Sequence, residues 1–259
     1  MSDSIQEILQ SYESITLEEM KAIRLMNRID TKYLTTIAKL QELLSLAKNN
    51  YRVQEISGTR IAEYYTLYYD TPTHHMYLAH QDGIARRQKI RVRSYLDSYL
   101  KFLEIKNKNN KGRTDKKRIS IPQASLQEAY YPFIQTNSPY IPESLTGQLE
   151  NRFQRITLVN KALSERLTID TQIFFHNLEI DSYYKLNNLV VIELKKEERS
   201  ISPITGYLNE LRIKPAGFSK YCIGAALTNS QLKQNRFKPK INYILKMINN
   251  KGSLAKACG

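Results

Sequence analysis

Three consecutive stretches of the sequence alternate basic and apolar residues, and this pattern limits the folds that the chain can adopt. The first is Lys89–Arg93 (KIRVR), the second spans 102–108, and the third spans 116–121. Because successive side chains of a β-strand point to opposite faces of the sheet, each stretch predicts a strand with one charged and one apolar face. Together they predict a sheet with a strongly basic face, which suits an anion of several charges.

The net charge points to the same kind of partner. Lys and Arg number 39 against 25 Asp and Glu, so the 259 residues carry a formal charge of +14. An excess of this size indicates nucleic acid, a membrane surface or polyphosphate as the partner, although basic residues scattered over the surface for solubility would give the same total. The charge therefore selects a class of partner without deciding its identity.

The sequence predicts a cytoplasmic protein without a membrane span. No apolar run reaches the ~18 residues that a span requires, and the N-terminus lacks the basic and apolar segments of a signal peptide. Cys222 and Cys258 are too few for a disulfide framework, which favours a reducing compartment. The four histidines lack the spacing of a zinc site, so a hard cation held by carboxylates and phosphate oxygens is the metal that stays open.

The organisation along the chain predicts one domain over residues 1–259, with a core over about 20–232 and a C-terminal helix and loose tail over 233–259. Thr16 and Glu19 have the spacing of a capping box and predict a helix that begins there. Further helices are predicted over 37–48, from Ser202-Pro203, from Ser219, and over 241–248. Strands are predicted over 28–34, 61–70, 88–95, 100–107, 116–121, 151–158, 166–171 and 189–195.

About eight antiparallel strands with flanking helices predict an α+β fold in which the sheet closes into a barrel. If the charged faces point inward, the interior is a basic tunnel and helices cover the apolar outer faces. At an effective dielectric near 20, two like charges ~6 Å apart repel by roughly 3 kcal/mol, so such a tunnel requires an anion to fill it. A triphosphate, with about four charges along a narrow rod, fits. The inward candidates are Arg28, Lys32, Lys89, Arg91, Arg93, Lys106, Lys108, Lys116, Arg118, Arg155, Arg166, Lys195 and Lys220, with the carboxylates Asp30, Glu104, Asp170 and Glu193.

Two other interpretations of the basic strands remain open. Each strand could turn its polar face to solvent and pack its apolar face on a core, as antiparallel sheets commonly do. The sheet could also bind single-stranded nucleic acid, which requires aromatic side chains on the basic face. The chain has 18 tyrosines, but only Tyr95 and Phe102 share the charged faces of these strands, so nucleic acid is the less favoured partner.

Seven short motifs in a fixed order give the chain a family resemblance. The set resembles the VTC domain, the catalytic domain of polyphosphate polymerases within the triphosphate tunnel metalloenzymes, over about residues 20–232. The motifs are Arg28-x-Asp30-x-Lys32-Tyr33, Tyr69-Asp70-Thr71, Lys89-x-Arg91-x-Arg93, Phe102-x-Glu104-x-Lys106, Arg166-x-Thr168-x-Asp170, Val191-x-Glu193-x-Lys195 and Phe218-Ser219-Lys220-Tyr221.

The resemblance implies roles for the matching residues. Tunnel-lining catalytic cations would be Lys32, Arg91, Arg93, Lys106, Arg118 and Arg155. The resemblance adds phosphate contacts from Lys116 (favoured over Lys117 by alternation with Arg118), Ser219 and Lys220, and the inward strand faces add Arg28, Lys89, Lys108, Arg166 and Lys195. Glu193 would bind Mn²⁺ or Mg²⁺, with Glu104 as the second candidate ligand.

The implied reaction is transfer of the ATP γ-phosphoryl group to a growing polyphosphate chain. Hydrolysis of a triphosphate, or binding of polyphosphate or nucleic acid without turnover, are the alternatives. A membrane partner protein is not specified by the sequence. Arg28-x-Asp30-x-Lys32 resembles the VTC pattern and differs from the Glu-x-Glu-x-Lys of triphosphatases and cyclases. Two residues depart from the VTC pattern: Gly217 stands where a lysine is common, and Phe153 stands where an aromatic hydroxyl is common. The phosphate contact of the missing lysine at 217 is expected to be either lost or supplied by Lys214.

Overall fold

The computed structural model describes residues 3–21, 28–110, 114–123, 125–197 and 201–249. Cys258 and the end of the predicted tail lie outside these residues, as does the side chain of Arg28. The strands are β1 (Ser14–Ile15), β2 (Arg28–Thr36), β3 (Tyr51–Gln54), β4 (Ala62–Asp70), β5 (Arg87–Tyr95), β6 (Leu100–Lys108), β7 (Thr114–Ser120), β8 (Thr146–Asn160), β9 (Glu165–Asn177), β10 (Ser182–Leu186) and β11 (Leu189–Glu197). The α-helices are α1 (Asp3–Gln10), α2 (Leu17–Lys21), α3 (Ile37–Ala47), α4 (His75–Gln81), α5 (Tyr131–Asn137), α6 (Pro203–Glu210), α7 (Lys220–Thr228) and α8 (Lys238–Asn249).

One large sheet organises the described residues. Its main path runs β2-β11-β9-β8-β4-β5-β6-β7, and every neighbouring pair on this path is antiparallel. β3 pairs with β8 and β10 pairs with β9, while the short β1 runs parallel to β3. The predicted α+β class with an antiparallel sheet and flanking helices is confirmed.

The sheet is an open half-barrel, which corrects the prediction of a closed one. In the described part of the chain no pairing joins β2 to β7, the two ends of the path. The free edge of β2 is used differently: Ala216 N donates to Lys32 O over 2.7 Å, and Tyr33 bridges to Pro215. This segment before α7 occupies part of the edge that closure would need, and β7 is left as a highly charged, exposed strand.

Helices cover the convex face of the sheet in two places, as the alternation predicted. Near β5 and β6, Ile90, Val92, Leu103 and Ile105 are fully buried and pack in a core with Ile134 of α5. A separate core under α1, α3 and α6 takes the outward residues of β8, β9 and β11. Burial of apolar surface stabilises the fold by ~25 cal/mol per Å². The burial of these side chains therefore offsets the repulsion among the like charges on the concave face.

Helix α7 packs against the concave side and closes one end of the half-barrel. It can do so because β9 changes faces at a bulge: the register against β8 shifts between Arg152 and Gln154, and Gln172 adopts a positive φ of 51°. Beyond the bulge Phe175 points inward into the core around α7. A Cβ at Gly224 would lie 2.5 Å from Phe175 Cδ1, so only glycine permits this close approach.

Several local predictions are confirmed by the structure. The capping box is present, with Thr16 N donating to Glu19 Oε2 over 2.8 Å and Glu19 N donating to Thr16 Oγ1 over 3.3 Å. The helices that begin after Thr36, Ser202 and Ser219 are also present. β8 and β9 run longer than predicted, and the sequence prediction missed the short strands β1, β3 and β10 and the helices α1, α4 and α5.

Candidate functional site

Three lysines lie directly opposite one another on the concave face, and we call them the lysine row. Lys89 of β5 faces Lys106 of β6, which in turn faces Lys116 of β7. Burial lowers the pKa of Lys89 to about 8, and the charge of Arg91, followed by burial, holds the pKa of Lys106 well below its ordinary value. Like charges placed opposite each other destabilise a sheet, so the lysine row favours a bound anion.

Arg91 is the neighbour of the lysine row that is neutralised within the protein. Its Nε and Nη2 donate to Glu104 Oε2 over 2.8 and 2.5 Å, and Lys116 Nζ lies 3.4 Å from Glu104 Oε1. Although burial alone would raise it, the charges of Arg91, Arg93 and Lys116 hold the pKa of Glu104 well below its usual range. Arg118 of the exposed edge strand β7 lies opposite Glu104 in the strand register, and its guanidinium lies 4.5 Å from the centre of the Phe102 ring.

Arg93 is a buried cation that forms no ion pair among the described residues. Arg93 is only 9% exposed. Its polar contact is a long one, from Nε to Thr66 Oγ1 at 3.4 Å, and its guanidinium lies 5.9 Å from the ring centres of Tyr64 and Phe153. Burial and the nearby charge of Arg91 lower the pKa of Arg93. A buried charge without a counterion is costly, which again indicates a place for an anion.

A second group of charges, which we call the Arg155 cluster, lies across the concave face and consists of Arg155, Asp170 and Lys220. Arg155 Nε and Nη2 donate to Asp170 Oδ1 and Oδ2 over 2.6 and 2.8 Å, and Lys220 Nζ also donates to Asp170. Register explains the pairing, since Arg155 of β8 lies opposite Asp170 of β9. Burial lowers the pKa of Lys220 to about 7 in spite of Asp170. Burial would raise the pKa of Asp170, but its two cations lower it.

Two carboxylates at the β2–β11 end of the sheet are the candidates for holding a metal. Lys195 Nζ contacts Glu193 and lies 3.5 Å from Asp30 Oδ2, and Lys32 Nζ lies 3.8 Å from Glu193 Oε2. The described residues contain no group of three or more His, Cys, Asp or Glu side chains arranged around a metal position. Glu193 and Asp30 therefore fit Mg²⁺ or Mn²⁺ only with water and phosphate oxygens as the other ligands, which is how Mg²⁺ is usually bound. The oxygens of both Glu104 and Glu193 contact cations of the protein, but Glu104 fits a metal poorly because its side chain is only 1% exposed, against 25% for Glu193.

The sequence profile of the VTC domain matches residues 27–229, which is most of the chain. The chain belongs to the VTC domain family. The resemblance drawn from the seven motifs is thereby confirmed.

Solved structures are similar to this VTC domain at low sequence identity. A Hippeastrum protein, provisionally named an adenylyl cyclase and described as having a dominant triphosphatase activity, is similar with a TM-score of 0.50 at 14% identity, over 79% of this chain and 97% of the other. A Vibrio parahaemolyticus protein provisionally named an adenylate cyclase gives a TM-score of 0.44 at 11% identity, over 76% and 96%. No curated protein matches the chain. Within the described residues, no helix has the length and hydropathy to span a bilayer.

The residues that lead into α7, Phe218 and Ser219, lie at one side of the concave site. Ser219 caps the helix by accepting from Cys222 N, and it also accepts from Lys89 Nζ over 2.9 Å. Lys32 Nζ donates to Phe218 O over 3.1 Å from the other side of the half-barrel. Lys32 and Lys89, two of the cations predicted to contact phosphate, therefore donate hydrogen bonds to this segment.

The structure shows which side chains surround Gly217 and Phe153, the two residues that depart from the VTC pattern. Lys240 of α8, not Lys214, stands beside Gly217, where its Nζ donates to the Gly217 carbonyl over 2.6 Å. Phe153 lacks a hydroxyl group, but cations surround its ring: Lys220 Nζ lies 4.0 Å from the centroid, and the guanidinium carbons of Arg155 and Arg93 lie 5.1 and 5.9 Å away. Phe153 thus holds cations in place through its π face.

The remaining predicted residues lie at the margins of the site. Lys108 is at the rim, opposite Arg87, and Arg166 lies opposite Lys195 near the β2 end. Sequence reasoning missed two concave tyrosines of β4: Tyr68 Oη lies 3.4 Å from Arg91 Nη1, and the Tyr64 ring lies 4.8 Å from the Arg155 guanidinium. Their period-two spacing within a predicted strand was the available signal.

Proposed function

We propose that this VTC domain is a phosphotransferase of the polyphosphate polymerase type, which moves the γ-phosphoryl group of ATP to the end of a polyphosphate chain. The observation that carries the proposal is the charge of Lys89, Lys106 and Arg93 on one concave face, since none of the three pairs with a carboxylate among the described residues. A chain of phosphates supplies negative charge along its length, as a row of cations on neighbouring strands requires. Scattered surface lysines would not be buried or arranged in register.

The protein's part in such a reaction is to position phosphates and stabilise charge. The lysine row and Lys32 would hold the phosphates of the donor along the sheet. Arg93 and Arg155, which both lie near the Phe153 ring, would stabilise the charge that develops on the transferred phosphoryl group. Arg91 would be kept in a fixed orientation by its two bonds to Glu104. No protein nucleophile is required.

A divalent cation, Mn²⁺ or Mg²⁺, would be held by Glu193 with Asp30. When bound, it would neutralise phosphate charge and orient the phosphate oxygens. Lys195 and Lys32 contact these carboxylates in the protein alone, so they would keep the two side chains turned toward the site.

Triphosphate hydrolysis is the second candidate function, and the open edge of the half-barrel favours it. A site that water can enter allows water to replace polyphosphate as the acceptor. The exposed β7 leaves the lysine row accessible from that side.

The experiment that separates the two functions is incubation of the purified protein with ATP and Mn²⁺, followed by analysis of the products. Long phosphate chains would establish the polymerase, and free phosphate alone would establish the hydrolase. Absence of both products, together with absence of triphosphate binding in calorimetry, would overturn the proposed function. A protein that binds triphosphate tightly without turnover would be a polyphosphate-binding module.

A further inference from the structure

A row of four side chains crosses the convex face of the sheet, and we call it the outer row. Strand register places Arg152 of β8 between Tyr65 of β4 and Phe174 of β9. On the other side of Phe174 lies Lys185 of β10. Rings and cations therefore alternate over about 14 Å, at the usual ~4.8 Å between neighbouring strands. None of the four side chains belongs to a hydrophobic core of the described residues, so the outer row is a surface feature.

The two cations of the outer row contact rings. The Arg152 guanidinium lies 5.7 Å from the centre of the Tyr65 ring, and Lys185 Nζ lies 5.9 Å from the centre of the Phe174 ring. Both cations are exposed, and neither forms an ion pair with another described residue. Phe174 is half-buried and stacks on Tyr183, with 5.8 Å between the ring centres. The convex face thus presents rings at its surface with positive charge on either side.

A cavity of about 350 Å³ lies along one side of the outer row. Arg152, Phe174 and Lys185 line it together with Gln172 and Asn187. Gln172 precedes Phe174 by two residues and Asn187 follows Lys185 by two, so in antiparallel strands both amides lie on the same side of the row. Neither amide side chain forms a hydrogen bond with another described residue. Both are therefore available to a ligand in the cavity.

The carboxylates of the convex face do not line this cavity. Glu150 and Asp181 lie beyond the other side of the outer row, where they contact the two ring nitrogens of His176 over 3.2 and 2.9 Å. Glu63 of β4 lies on the cavity side but is not among the residues that line it. The charges that face the cavity are therefore both positive, and they suit an anionic ligand.

Surface rings flanked by cations are the combination with which a sheet binds single-stranded nucleic acid. Bases stack on aromatic side chains whatever the base sequence, and basic side chains contact the phosphates between them. The basic strands β5–β7 have few rings on their charged face, and the outer row supplies the rings that they lack. An acidic peptide would meet the cations of the row but would leave its rings without a stacking partner.

We infer that the outer row and its cavity bind single-stranded nucleic acid, with a base stacked on Phe174 and the flanking phosphates on Arg152 and Lys185. The amides of Gln172 and Asn187 lie where they can donate to and accept from the edge of that base. The inference does not depend on the proposed function, because the outer row and the lysine row lie on opposite faces of the sheet.

The test measures the binding of a short, labelled oligouridine by fluorescence anisotropy. Phe174→Ala should weaken binding about tenfold, as expected for the loss of one stacking surface. Phe174→Tyr keeps the ring and should bind like the wild type. Tyr243→Ala is the matched control and should change nothing, because Tyr243 is a 51% exposed ring on α8.

The phosphate contact is tested by Lys185→Gln, at a position exposed enough to leave the fold intact even if Phe174→Ala does not fold. The slope of log Kd against log salt concentration should fall by about 0.7, which is the change expected when one phosphate contact to a single strand is lost. Lys48→Gln is the matched control, since Lys48 is also exposed and forms no ion pair with another described residue. Equal slopes for the two variants would remove Lys185 from the site and overturn the inference.

Competition separates the convex face from the concave one. Saturating inorganic triphosphate should displace the oligouridine no more than NaCl of the same ionic strength does. Stronger displacement would place the oligouridine on the lysine row and overturn the inference, as would absence of binding or wild-type binding by Phe174→Ala. Polyglutamate that binds as tightly, with the same loss in Phe174→Ala, would identify a site for acidic peptides and would also overturn it.

Discussion

The lysine row and the Arg155 cluster lie on the same concave face and contain the same kinds of residue, yet they differ in how their charge is balanced. In the Arg155 cluster, a buried carboxylate accepts from both cations. In the lysine row, the nearest carboxylate, Glu104, is already engaged by Arg91, and Lys106 faces a lysine on either side. Strand register places a carboxylate opposite an arginine in one region and lysines opposite each other in the other.

The difference shows that cations on one face of a sheet can have two separate roles, one in stabilising the fold and one in binding a ligand. A buried ion pair that is fully hydrogen-bonded can keep its geometry before any ligand arrives, whereas a like-charge row lowers its energy only when an anion binds. We therefore expect the Arg155 cluster to contribute to folding as well as to binding, and the lysine row with Arg93 to contribute mainly to binding. The following predictions test this division.

Removing the central carboxylate of the Arg155 cluster should have the largest effect. Asp170→Asn leaves Arg155 and Lys220 buried without a counterion, so we expect the free energy of unfolding to fall by ~3–5 kcal/mol in urea denaturation. Inorganic triphosphate should restore part of this loss by supplying negative charge. Asp82→Asn, at an exposed carboxylate that pairs with Lys233, is the control and should change little. A fall no larger than that of the control would show that Asp170 does not stabilise the cluster.

Removing Arg93, the buried cation without an ion pair among the described residues, should lower the activity without lowering the stability of the fold. Arg93→Met deletes a charge that has no ion pair to lose, so we expect kcat/KM to fall about 100-fold, as for loss of one stabilising donor. The free energy of unfolding should stay within about 1 kcal/mol or rise, because a buried charge is removed.

Arg152→Met is the matched control for Arg93→Met. Arg152 lies over the Tyr65 ring on the convex face and contacts no residue of the site. If the two variants retained equal activity, Arg93 would have no role in the reaction.

The lowered lysine pKa values predict how stability changes with pH. Burial puts the pKa of Lys220 at about 7 and that of Lys89 at about 8 in the folded protein, against ~10.4 in the unfolded chain. Between pH 7 and pH 9 the unfolded state therefore binds more protons, so stability of the ligand-free protein should rise with pH, by at most about 1.4 kcal/mol per unit for each lysine.

Saturating inorganic triphosphate should flatten this rise, since a bound anion favours the charged lysines. Urea denaturation at several pH values, with and without the anion, measures both slopes. Lys89→Met should remove part of the rise in the ligand-free protein. Stability that falls between pH 7 and pH 9 without ligand would contradict the lowered pKa values.

The smallest effect is expected at the exposed end of the lysine row. Lys116 is 42% exposed and pairs with Glu104 at 3.4 Å, so Lys116→Gln should change stability by less than about 1 kcal/mol. It should weaken triphosphate binding a few-fold and reduce the salt dependence of binding in calorimetry. Lys117→Gln is the control, since Lys117 lies opposite the outward Ile105. Equal effects of the two variants would place Lys116 outside the site.

Much of the candidate site could be predicted because alternation in a strand is a local property. Lys89, Arg91 and Arg93 had to share a face if 89–93 was a strand, and burial of Ile90 and Val92 on the other face agrees. Pairing between strands could not be predicted in the same way. Nothing local to Glu104 indicates that it would bind Arg91 through Oε2, because that contact depends on the register of β5 against β6.

The sequence by itself determined the charge of the site, the strands that present it and membership of the VTC domain family, since each depends on residue identity and order. Only the tertiary structure decided which cations pair with a carboxylate and which have no such partner among the described residues. It also decided that the half-barrel stays open, because the segment at Pro215 and Ala216 takes the edge of β2. Both outcomes depend on contacts between residues far apart in the chain, and no periodicity of the sequence encodes such contacts.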